Sequence, residues 1–84
     1  MATELNDQIK VGVTFDRGTV RPAWFIWQGR RYDVREITMR WQTFEGRERI
    51  LHLSVSDGAN EFELILHQER LLWSLRAVEP DSCE

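Results

Sequence analysis

Hydrophobic and polar residues alternate along most of the chain. Ile9, Val11, Val13 and Phe15 are interleaved with Lys10, Gly12 and Thr14, the period of two that marks a strand with one buried face. Asp16-Arg17-Gly18 supplies turn chemistry, and Pro22, which cannot donate to a ladder, suits a strand start or an edge. A second strand spans Ala23 to Trp27 and a third begins over Arg30 to Val34. Between them Gln28-Gly29 fits a two-residue primed turn. That turn sets Trp27 opposite Arg30, Ile26 opposite Arg31, Phe25 opposite Tyr32, Trp24 opposite Asp33 and Ala23 opposite Val34. Ala23, Phe25, Trp27, Tyr32 and Val34 then form the core face, with Trp24 and Ile26 on the other side among Arg31 and Asp33.

Beyond Val34 the pattern changes phase. Tyr32 and Val34 share one parity, whereas Ile37, Met39 and Trp41 share the other. Burying both sets requires a bulge or bend near Arg35-Glu36. A helical turn is the competing reading, because Val34, Ile37 and Trp41 also fit helical spacing. The bent strand is preferred, since no N-cap or glycine C-cap brackets a helix there. A polar loop follows from Thr43 to Glu48. Leu51, Leu53 and Val55 then predict a fourth strand, Phe62, Leu64 and Leu66 a fifth, and Trp73, Leu75 and Ala77 the buried parity of a sixth. Asp57-Gly58-Ala59-Asn60 and His67-Gln68-Glu69-Arg70 are the intervening turns.

The expected fold is therefore all-β, with about six antiparallel strands forming a small barrel or strongly curved sheet. Such curvature hides strand edges. The chain has 84 residues, enough for one core. A single β domain over residues 9–78 is expected, with residues 1–8 and 79–84 as flexible tails.

Composition narrows the function. Cys83 is the only cysteine, so no internal disulfide is available and a reducing, cytoplasmic setting is expected. No apolar run reaches the length of a membrane span, and the polar start lacks a signal-peptide layout. Net charge is −3, but residues 1–42 carry seven Lys/Arg against five Asp/Glu while residues 43–84 carry four against nine. A two-sided surface follows, with the basic side on the aromatic hairpin.

No chemistry-bearing constellation stands out. His52 and His67 lie fifteen residues apart in the sequence and lack the further ligands a zinc site needs. Cys83, near the C-terminus, has no neighbouring base, and no phosphate-binding or nucleophile motif occurs. No catalytic residue, metal or cofactor is expected, and the protein is read as a non-enzyme. The candidate binding surface is Trp24, Arg31, Arg35 and Arg40, where rings stack bases and arginines meet phosphate. The competing reading places the tryptophans in the core and pairs the arginines with nearby carboxylates; the pattern is compatible with either position for Trp24 and Trp41. Ile50, Ile65 and Leu72 fall on outward parities and would form an apolar patch for a protein partner or a second copy.

Pro22, Phe25, Trp27, Gly29-Arg30, Tyr32, Val34, Ile37 and Trp41 together carry a resemblance. Val55 before a glycine-containing turn, Phe62, Leu64 and Trp73-x-Leu75 extend it. The pattern resembles a small bacterial domain of unknown function, found alone or at the C-terminus of Y-family-polymerase-like mutagenesis proteins. The resemblance spans residues 9–78 and rests on hydrophobic and turn positions, so it implies fold and transfers no catalytic residue. It implies, at most, a link to nucleic acid or replication. Two functions are thus expected: first a non-catalytic protein-interaction or scaffolding module, and second a nucleic-acid-binding accessory domain linked to DNA repair or translesion synthesis.

Overall fold

The computed structural model describes residues 3–80. Seven strands are formed: β1 (Thr3–Asp16), β2 (Thr19–Trp27), β3 (Arg30–Asp33), β4 (Glu36–Glu45), β5 (Glu48–Ser56), β6 (Asn60–His67) and β7 (Leu72–Pro80). All neighbours are antiparallel, in one sheet of order β3-β2-β1-β7-β6-β5-β4. The all-β expectation holds. The seventh strand arises because the expected third strand is broken at Val34-Arg35. The helical alternative fails, since Glu36–Glu45 is a strand.

Hairpin geometry follows from local sequence. Arg17-Gly18 and Gln28-Gly29 both adopt paired positive φ values (55° and 78°; 53° and 76°). That is the primed geometry whose twist matches the flanking strands. The β2–β3 register is the one the Gln28-Gly29 turn dictates, from Trp27 opposite Arg30 to Trp24 opposite Asp33, and the Val34 N–H continues it to the Ala23 carbonyl at 2.9 Å. The loop expected over Thr43 to Glu48 is shorter: Glu45 already pairs with Glu48, leaving Gly46-Arg47 as a two-residue turn.

The sheet curls through β1. Its first half pairs with β7 from Thr3 to Ile9, and its second half pairs with β2 from Lys10 to Asp16. The strand therefore begins at Thr3, ahead of the expected start at Ile9, and β7 continues through Pro80. Met1, Ala2 and residues 81–84, including Cys83, lie outside the described residues. The curl brings distant strands face to face. Phe25 of β2 stacks on Tyr32 of β3 with ring centroids 5.1 Å apart, and both meet Phe62 of β6 edge-on at 4.9 and 5.2 Å. Edge-to-face contact of this kind adds about 0.5–1.5 kcal/mol per pair to the burial itself. Phe25, Leu53, Val55, Phe62, Leu64 and Leu75 are fully buried in this interior.

Three bulges correct the expected faces. Ala23 is the extra residue where the β1–β2 register shifts, and it is exposed; Pro22 is buried instead. Thr38 is extra in β4, so Ile37 pairs with Val55 and packs on the core while Met39 and Trp41 pair with Ser54 and His52 on the outer face. Arg76 is extra in β7, so Val78 rather than Ala77 joins Phe62 on the core. Each bulge inserts one residue and flips everything beyond it. The outer apolar patch is also corrected. Ile50 and Ile65 do have outward parity, but they are only 3% and 7% exposed, and Leu72 is half-buried. Ile50 lies between Thr43 and His67, and Ile65 between His52 and Ser74, on the two neighbouring strands.

Candidate functional site: a basic seam beside a free strand edge

The four surface candidates separate into two places. Trp24 is half-buried beside Gly12, where an added Cβ would lie 2.2 Å from the indole. Arg31 covers the ring at 5.0 Å and also binds Asp33 at 3.0 Å. Trp24 and Arg31 thus form a self-contained unit on the outer side of the β2–β3 hairpin. Arg35 and Arg40 belong elsewhere. Arg35 sits in the two-residue link between β3 and β4, which are opposite ends of the sheet; its N–H donates to the Ser56 carbonyl at 2.8 Å and its guanidinium borders Gly58. Two residues of chain span only about 7–10 Å, so the two sheet edges must approach at this end. They share no ladder, and a seam remains between them.

The seam is a row of three recesses of about 250, 320 and 290 Å³. Arg35 and Glu36 line the first, Arg21 and Ile37 form walls of both the first and second, and Arg40 lines the second and third. Arg49 and, from across the seam, Gly18 and Thr19 also line the third. Arg40 stands opposite Leu53, and Arg49 opposite Phe44. Directly paired residues share a face, so these arginines rise from the core-facing side at the mouth of the curl. None of Arg21, Arg35, Arg40 and Arg49 forms an ion pair among the described residues, where Arg31, Arg70 and Arg76 do. Glu36 is the single carboxylate among the described residues lining the seam.

The backbone adds a second feature. β4 ends the sheet order, so one edge of this ten-residue strand has no neighbour. Across the seam β2 pairs with β3 only from Trp24 to Trp27, which leaves Thr19 to Pro22 with a single partner strand. Met39 and Phe44 on β4 are 60% and 65% exposed, and Phe15 beside the β1–β2 turn is also exposed. Arg21 and Arg49 were missed by the sequence reading. Arg21 adjoins Pro22, an edge marker; Arg49 has no signal until the β4–β5 register is known.

Two other polar arrangements are already internally satisfied. On the outer face Thr43 Oγ1 lies 2.7 Å from His52 Nε2, His52 Nδ1 lies 3.2 Å from Glu63 Oε2, and Arg76 Nε follows at 3.6 Å. His52 is buried under Trp41, with the rings parallel at 4.9 Å. The order hydroxyl–imidazole–carboxylate is that of a nucleophile and its base, but Thr43 and His52 line none of the recesses described here. A recess larger than any of the three in the seam, about 590 Å³, lies over Ile65 and Leu72. Its Arg70 is held by Glu48 at 2.9 Å and its Arg76 faces Glu63. The hydrogen bonds from Arg70 hold the Glu48 carboxyl below its ordinary value, against the opposing effect of desolvation, and the same pairing raises Arg70. No group of three or more potential metal ligands occurs among the described residues.

No curated protein and no solved structure matches the chain. A family pattern does, over residues 2–82, and the chain belongs to the family described as Domain of unknown function (DUF6504).

Proposed function

We propose that the protein is a non-catalytic interaction module that captures an extended segment of a partner protein along the free edge of β4. One observation carries this reading. The two sheet ends are unequal: β3 has four residues, whereas β4 presents ten with Met39 and Phe44 exposed along it. Proteins generally keep an edge short or cover it, because an open ladder is a template for another strand. A long free edge beside a lined groove suits strand addition, in which main-chain hydrogen bonds supply affinity and alternate side chains supply specificity. The interaction surface is thus the β4 edge and not the buried Ile50–Ile65 patch. A second copy of the chain is the other protein occupant. No described helix is long and apolar enough to cross a membrane, and a cytoplasmic site of action accords with the lack of any disulfide requirement.

The runner-up is an accessory domain for single-stranded nucleic acid, in keeping with the resemblance to a bacterial domain appended to mutagenesis polymerases. The uncommitted arginines of the seam favour it. Against it, Arg31 occupies one face of Trp24 and His52 one face of Trp41, so neither indole offers both faces to stacked bases.

Selection of a random peptide library on the protein tests the first reading, with amide hydrogen exchange as the readout. Enriched peptides should slow exchange of β4 amides, which have no partner on that edge, and leave the β5–β6 amides unchanged. Protection that grows with protein concentration alone would assign the edge to a second copy. Protection elsewhere, or none with any enriched peptide, would overturn the proposal. Saturable quenching of tryptophan fluorescence by single-stranded DNA that vanishes as salt rises would install the runner-up.

A further inference from the structure

We infer that the segment received by the seam is acidic, with carboxylates at every second residue and apolar side chains between them. This inference rests on strand addition at β4 and deepens it.

A strand added to β4 places its side chains alternately on the two faces of the sheet, each opposite a β4 residue. On the core-facing side those opposing residues are Arg40 and Gln42, with Ile37 before them and Phe44 after. Arg49 lies beside Phe44 on this same side, whereas Arg21, opposite Thr14 and between the inward Val20 and Pro22, reaches the recess it shares with Arg40 from the outer side of β2. On the outer side the opposing residues are Met39, Trp41 and Thr43. A partner strand therefore meets the Arg40 and Arg49 guanidinium groups on one face and an apolar thioether and indole on the other. Opposite charges and apolar pairs are the two stabilising cross-strand combinations, and like charges are destabilising.

The electrostatics of the seam concentrate this preference. The whole chain carries −3, yet four arginines without carboxylate partners among the described residues converge here against one lining carboxylate, Glu36. An acidic segment would be steered to this seam and repelled from the acidic remainder of the surface. Glu36 sits at the Arg35 end, so the acidic positions belong toward Arg40 and Arg49. Guanidinium groups also take carboxylates in paired hydrogen bonds, which adds direction to the attraction.

Fluorescence anisotropy with short labelled probes tests the inference. The probes are a peptide of four Glu–Val repeats, its Thr–Val and Lys–Val counterparts, the Glu–Val peptide with alternate backbone nitrogens methylated, and an eight-nucleotide oligothymidylate. Glu–Val should bind at least about tenfold more tightly than Thr–Val, and Lys–Val should not bind. Arg40→Gln and Arg49→Gln should each weaken Glu–Val roughly threefold to tenfold, with Arg31→Gln as a control on the far side of the hairpin that leaves it unchanged. Loss of binding by the methylated peptide ties the signal to main-chain pairing. Equal binding of Glu–Val and Thr–Val would refute the acidic preference and leave strand addition standing. Undiminished binding by the methylated peptide would refute strand addition itself. Tighter binding of oligothymidylate than of Glu–Val would overturn both in favour of nucleic acid. No binding of any peptide up to about 1 mM, the weak limit of specific recognition, would remove both.

Discussion

Replacing Gly12 with alanine probes the close approach on which the hairpin is seated. Gly12 lies in β1 directly opposite Trp24. A Cβ built there falls 2.2 Å from Cε2 of Trp24, 2.4 Å from Nε1 and 2.5 Å from Cζ2. Carbon atoms in good contact are about 3.5–4.0 Å apart, so the ring must retreat by roughly 1.5 Å. The contacting atoms belong to a rigid indole whose far side is capped by Arg31, so the retreat also disturbs that stack. Overpacking of this kind costs about 1–3 kcal/mol. Relieving glycine of its excess freedom returns about 0.5–1 kcal/mol. Gly12→Ala should therefore destabilise the protein by up to about 2.5 kcal/mol, read as a lower urea midpoint at constant slope. The decisive measurement is the double-mutant cycle with Trp24→Ala. Once the indole is gone, Gly12→Ala should become neutral or stabilising, and the coupling between the two sites should exceed about 1 kcal/mol. Equal penalties with and without the indole would show that the ring contact is not the reason for glycine at this position.

Other outcomes follow from single features of the fold. Leu71 is 75% exposed and holds a φ of 58° at the end of the β6–β7 turn, where its N–H reaches the His67 carbonyl at 2.7 Å. A left-handed conformation costs an L-residue about 1–2 kcal/mol, more than the entropy that glycine adds, so Leu71→Gly should raise the thermal midpoint; an unchanged or lower midpoint would contradict the strain. Glu48 has a depressed folded-state value because Arg70 hydrogen-bonds its charged form. Its contribution is present above the unfolded carboxylate value of 4.5 and is lost as pH falls through the lower folded value. Wild type should thus lose stability more steeply than Glu48→Gln when chemical denaturation is followed from pH 5 down to pH 3, and parallel acid profiles would count against the pairing.

Much of the fold can be read along the chain because its signals are local. A period of two announces the strands, and the Gln28-Gly29 turn alone aligns Phe25 with Tyr32 and Trp27 with Arg30, since a two-residue turn leaves one register. What is lost on the linear pattern is every place where one extra residue changes the face. Ala23, Thr38 and Arg76 are bulged residues without distinctive chemistry, and each displaces its successors by one position. Alternation therefore grouped Met39 and Trp41 with Ile37 and put Ala77 on the core face, whereas the structure keeps Ile37 on the core, turns Met39 and Trp41 to the outer face and seats Val78 in place of Ala77.

The candidate site divides the same way. Local sequence determined that Trp24 and Arg31 neighbour one another, because they project from adjacent strands of one tight hairpin. It also marked Arg35 at a change of phase. Only the tertiary structure decided that Val34-Arg35 carries the chain from one sheet end to the other, leaving Arg40 across a seam from Arg21 and in one recess with Arg49. That arrangement depends on how far the sheet curls through β1 and where its edges stop short of pairing. Curl is the sum of twist and bulges over all seven strands, a property of the assembled sheet that no single stretch of residues encodes.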